Sequence, residues 1–111
     1  ASAAVELMGG TPRECTYAAS TVLMNMLGLV CDPVAGLVEV PCVKRNVGGA
    51  VNALAAADMA LAGIASHIPV DQVIDAMGEV GMKMDVSLRE TSMGGVATSP
   101  KGLEIAERLG M

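Results

Sequence analysis

Two of the three cysteines, Cys31 and Cys42, stand at either end of a ten-residue stretch that carries Pro33 and Pro41. Prolines near both ends stiffen a loop and can hold its termini close, as a pair of metal or cluster ligands requires. The spacing matches none of the close C-x-x-C zinc patterns, so two buried structural thiols are the alternative reading. A helix whose first residue is Pro41 would place Cys42 second, where backbone N–H groups and the helix dipole favour a thiolate. Lys44 and Arg45 would then fall in the first turn, where positive charge opposes the dipole by about a few tenths of a kcal/mol each. Either they are solvated or an anion compensates them. Farther along, Arg89, Thr91 and Ser92 precede Gly94-Gly95, a set of donors and open backbone N–H groups able to grip a carboxylate. Asp32, beside Cys31, is a weak candidate base or simply half of an Asp-Pro turn. His67 reads as a histidine at a helix end, the nine methionines as core filler, and Cys15 as a core or surface thiol.

These residues need elements to hold them, and the periodicity predicts helices. Residues 1–8 read as the tail of one, stopped by Gly9-Gly10. Thr11, Pro12 and Glu14 supply the cap, the first position and the capping box of a second over 12–27, which Gly28 ends. The prolines and glycine of residues 29–41 make a structured loop bearing the cysteines. A long helix follows over 42–65, with Ala50, Leu54, Ala57, Leu61 and Ile64 at core spacing and Asn46, Gly49, Ala53 and Ala60 as a small-residue face. The next, over 70–84, carries Val70, Val73, Ile74, Met77, Val80, Gly81 and Met84 on one side. Residues 91–95 are irregular, and Ser99-Pro100 opens a last helix over 100–109. The predicted class is all-α, a compact domain of about four to six helices with a cysteine-bearing loop.

Composition narrows the function. The chain has 111 residues, 52% of them hydrophobic, with one tyrosine and no phenylalanine or tryptophan, which excludes intrinsic disorder and fits one compact domain. A net charge of −5 with only seven scattered Lys and Arg opposes a nucleic-acid partner. The uncharged run between Cys15 and Cys31 is too short and too polar to span a bilayer. Nothing marks export, and three cysteines cannot all pair within one chain, so a reducing cytoplasm is the simplest compartment. The absence of an initiator Met and a mean hydropathy of +0.53 suggest a piece of a larger protein with a partner-facing surface.

Residues 27–46, LGLVCDPVAGLVEVPCVKRN, resemble the signature of the bacterial iron-sulfur-dependent L-serine dehydratases. Residues 89–97, RETSMGGVA, look like a second segment of that family, and the helical stretches 52–63 and 69–84 between them are also similar. The likeness covers most of the chain. It points to residues 1–111 as the C-terminal portion of the α chain of the two-subunit form, or the equivalent catalytic domain of the single-chain form.

The resemblance implies an enzyme that deaminates L-serine to pyruvate and ammonia with a 4Fe-4S cluster. Three cysteine ligands leave one iron open as a Lewis acid on the serine hydroxyl while a base removes the α-proton. Cys31 and Cys42 match two of the ligands. The third matches nothing here, Cys15 falls where the family has no ligand, and the C-terminal cysteine of some single-chain members is absent. The chain alone is therefore expected to hold no cluster and to be inactive. Lys44, Arg45, Asn46, Arg89, Thr91, Ser92, Gly94 and Gly95 are the residues the resemblance offers for the substrate. A β chain or β-type domain is the implied partner, and the apolar helix faces favour a homo-oligomer. The competing reading is a non-catalytic helical interaction domain with structural cysteines.

Overall fold

In the computed structural model, which describes residues 1–111, five α-helices and three short 3₁₀ turns account for the regular structure. The helices are α1 (Ser2–Leu7), α2 (Pro12–Met26), α3 (Cys42–Leu61), α4 (Val70–Lys83) and α5 (Pro100–Arg108); the turns are Val34–Gly36, Val86–Leu88 and Gly95–Thr98. A parallel bridge between Cys31 and Arg89 is the one strand-like pairing. The chain is all-α, as its periodicity predicts.

Local signals account for several helix ends. Thr11 caps α2 by accepting the Glu14 N–H at 3.2 Å, and Ser99 caps α5 by accepting the Gly102 N–H at 3.2 Å, each ahead of a proline at the first position. The helix expected over 42–65 stops early, at Leu61. Gly63 adopts φ +86 and donates to Ala60 O at 3.0 Å, while Ile64 donates to Met59 O at 3.0 Å. That pair of bonds is a Schellman stop, which satisfies the last carbonyls and turns Ile64 out of the helix.

Contacts gather into two compact units, residues 1–27 with 48–82, and residues 28–47 with 83–111. The first centres on Val5, Ala18, Ala57 and Ala60, with Cys15, Tyr17 and Leu61 against them. Buried Ser20 donates to Ile68 O at 2.8 Å and so ties α2 to the segment before α4. The expected stripe on α4 faces inward with Val73 buried, although Ile74 is 54% exposed. On α3 the expected core side is only partly right. Ala56, Ala57 and Ala60 are buried while Leu54 is 62% exposed, because the small residues let neighbouring backbone approach and so close off the surface first. Leucine at Ala57 should therefore overpack the unit and cost about 1–3 kcal/mol, read as a lower melting midpoint. Leucine at Ala50, exposed on the same helix, should change stability by no more than about 0.5 kcal/mol.

Candidate functional site

The second unit is built around the cysteine loop. Val34 N–H donates to Val40 O at 2.9 Å, and this bond closes the neck between the prolines. Inside it the chain turns through Ala35 at φ 54 and Gly36 at φ 70. On one side of the neck the backbone of Cys31 is clipped to the second motif, donating to Leu88 O at 2.9 Å and accepting from Glu90 N–H at 2.7 Å. On the other side Cys42 begins α3. The cap is Pro41, whose carbonyl accepts the Arg45 N–H at 3.0 Å, so Cys42 is the first helical residue rather than the second.

Both thiols are free and half-buried. Burial pushes the Cys31 thiol up, and the negative charges of Glu90, Cys42 and Asp32 push the same way against the opposing pull of Arg45. The Cys42 thiolate is thus close enough for its charge to be felt at Cys31. No group of three or more His, Cys, Asp or Glu side chains is arranged to hold a metal ion.

Asp32 is the best-connected residue of the unit. It is 1% exposed; one oxygen accepts Arg45 Nη1 at 2.5 Å and the other accepts the Val96 N–H at 2.6 Å. Burial alone would push its carboxyl up, but the Val96 bond, the Arg45 bond and the Arg45 charge outweigh it and hold the group below the usual carboxylate range. Such a carboxylate is shut off from solvent and engaged at both oxygens, so the role of base suggested by its place beside Cys31 does not suit it. The anion that Arg45 needs against the helix dipole is Asp32.

The remaining motif residues divide between structure and surface. Ser92, at φ 56, donates to Pro33 O at 2.6 Å, and Thr91 donates to Val86 O at 2.9 Å, so both hydroxyl protons are spent on the fold. Asn46 donates to Cys42 O at 3.1 Å, one turn back on its own helix. Gly94 is extended, with Ser87 O and Oγ where a Cβ would come within 3.0 Å. At Gly95, φ is +63 and a Cβ would collide with the Asp32 carboxylate. The carboxylate gripped by this glycine turn is Asp32 itself. Lys44 and Arg89 are exposed and make no side-chain hydrogen bond; Arg89 lowers the pKa of Asp85, whose main partner is the Ser87 hydroxyl.

Three of the four non-glycine residues at positive φ, Ala35, Glu90 and Ser92, fall in these two motifs. Left-handed backbone costs a side-chain-bearing residue about 1–2 kcal/mol, so the motifs are held in conformations the local sequence does not favour. The fourth, His67, is in the first unit and lines a cavity of about 480 Å³ with Arg13, Tyr17 and Asp71, a site without cysteine. Cys15 is in that unit too; its Sγ donates to Ser2 O at 3.4 Å and packs against the alanine core.

Residues 1–97 match the model of the family described as serine dehydratase alpha chain. The chain is 61% identical over 109 residues to the probable L-serine dehydratase alpha chain of Bacillus subtilis (strain 168), covering 98% of this chain and 36% of that protein. It is 58% identical over 105 residues to the probable L-serine dehydratase alpha chain of Latilactobacillus sakei, covering 95% and 50%. To the L-serine dehydratase alpha chain of Peptoniphilus asaccharolyticus it is 53% identical over 105 residues, covering 95% and 36%. The chain spans between about a third and a half of the length of these curated relatives.

Proposed function

This chain belongs to the serine dehydratase alpha-chain family, and on that footing we propose that it supplies Cys31 and Cys42 as two ligands of a 4Fe-4S cluster in an enzyme that converts L-serine to pyruvate and ammonia. The observation that carries this reading is a closed loop with a free thiol on either side of its neck, Cys31 clipped through its backbone to the second motif and Cys42 opening α3. Two soft sulfur donors at a loop neck fit two corners of such a cluster, and the third ligand would come from elsewhere in the intact enzyme.

Elimination from serine breaks a carbon–oxygen bond to a poor leaving group, hydroxide, and an electrophile on that oxygen is indispensable. When bound, the cluster would supply that electrophile through an iron with an open coordination position. The protein must then hold serine by its carboxylate. Lys44, exposed two residues after Cys42 and without an internal partner, is the side chain best placed by sequence and exposure for that task, with Arg89 beside the bridge to Cys31 as the second cation. Loss of the α-proton and water gives an aminoacrylate, which hydrolyses to pyruvate and ammonia. The base comes from another residue than Asp32. A β chain or β-type domain completes the enzyme, working in a reducing cytoplasm.

Anaerobic preparation of the full-length protein with its partner chain tests the reading. A coloured protein that releases pyruvate from L-serine supports it; a colourless, inactive one favours a packing domain with structural cysteines. Cys15→Ser in the same enzyme should keep both colour and turnover, because Cys15 makes one weak bond to Ser2 O and a hydroxyl can replace it at a cost of about 1 kcal/mol or less. Cluster loss in that variant would move the missing ligand to Cys15.

A further inference from the structure

We propose that Asp32 and Arg45 are positioning residues whose ion pair sets the spacing between Cys31 and Cys42, an inference that rests on the ligand reading above. Arg45 stands three residues after Cys42, one helical turn along α3. Its Nη1 donates both to Val30 O at 2.8 Å and to Asp32 Oδ1 at 2.5 Å, so one nitrogen grips the residues on either side of Cys31. The guanidinium therefore fastens the first turn of α3, which begins at Cys42, to the backbone that carries Cys31.

The other oxygen of Asp32 adds a third segment. It accepts the Val96 N–H at 2.6 Å, across a turn where Gly95 leaves the space that the carboxylate fills. One buried carboxylate and one half-exposed guanidinium thus join the cysteine loop, the start of α3 and the second motif. Nothing else ties residues 42–45 to residues 30–32 by a side-chain bond. Both oxygens of Asp32 and Nη1 of Arg45 are committed to this link.

The test uses the full-length enzyme with its partner chain, first stripped of metal. Phenylarsine oxide forms two arsenic–sulfur bonds with a pair of neighbouring thiols and releases water, and the Cys31–Cys42 adduct is identified by peptide mass spectrometry. Arg45→Ala should capture the reagent across this pair on the order of tenfold less readily than wild type, since misplacement of reacting groups by about 1 Å carries a penalty of that size or larger. Arg45→Lys, which keeps the charge but not the fork, should recover part of the loss and serves if the alanine variant does not fold. Reconstituted cluster should bleach faster in the same order of variants. Unchanged capture in a folded Arg45→Ala or Arg45→Lys protein would overturn the proposal, as would a loss that merely tracks the loss of helical signal. If the wild-type enzyme never holds a cluster, the ligand reading fails, while the capture ratio still reports on spacing.

Discussion

Serine in place of Cys42, or of Cys31, in the intact enzyme is expected to remove its visible chromophore and its turnover together. Oxygen is a harder ligand than thiolate and holds iron-sulfur clusters poorly, so one lost corner releases the cluster. The barrier for expelling hydroxide then loses its electrophile, worth several kcal/mol, and turnover should fall by about three orders of magnitude or more. Absorbance spectra and pyruvate release measured on the same anaerobic samples check this. A colourless Cys42→Ser enzyme that kept wild-type turnover would remove the cluster from the mechanism, and a coloured one would remove Cys42 from the ligand set. The surrounding fold should survive in either variant, because the Cys31 and Cys42 side chains make no hydrogen bond that the loop depends on; its neck is closed by Val34 and Val40.

What could be read from the chain was what is locally encoded. The starts of α2 and α5 are written in Thr11-Pro12 and Ser99-Pro100, and the stripe of α4 repeats at a helical period over 70–84 whatever it packs against. The buried side of α3 was harder to read, because its alanine side and its valine and leucine side both have that period. Which is buried depends on how near a neighbour can come, and that is a property of the folded unit. The two motifs were recognisable as separate stretches, but their union was not. Ser92 to Pro33 and Val96 to Asp32 are bonds between residues 59 and 64 positions apart. One signal for Asp32 was present: a cation at Arg45 in a first helical turn demands an anion, and an acidic residue thirteen positions earlier sits beside the cysteine that the same loop must bring back. Lys44 meets the same dipole without such a partner and stays exposed, whereas Arg45 is taken up by Asp32.

That union makes Gly95 hard to replace, and alanine there should be severe. The residue sits at φ +63, which costs an alanine about 1–2 kcal/mol in backbone alone. Its new methyl group would also occupy the place of the Asp32 carboxylate, which must then withdraw from the Val96 N–H or displace the turn. Overpacking of this kind costs about 1–3 kcal/mol, and a strained hydrogen bond to a buried charge adds to it. The sum is about 3 kcal/mol or more, enough to lower the melting midpoint by roughly ten degrees or more in a domain of this size. Gly63→Ala supplies the internal comparison. There φ is +86 but nothing lies within 4 Å of the added carbon, so only the backbone penalty applies. Melting of the two variants side by side separates the contributions: a Gly95→Ala protein no less stable than Gly63→Ala would mean that the carboxylate of Asp32 does not fill the glycine turn, and the link between the two motifs would fall with it.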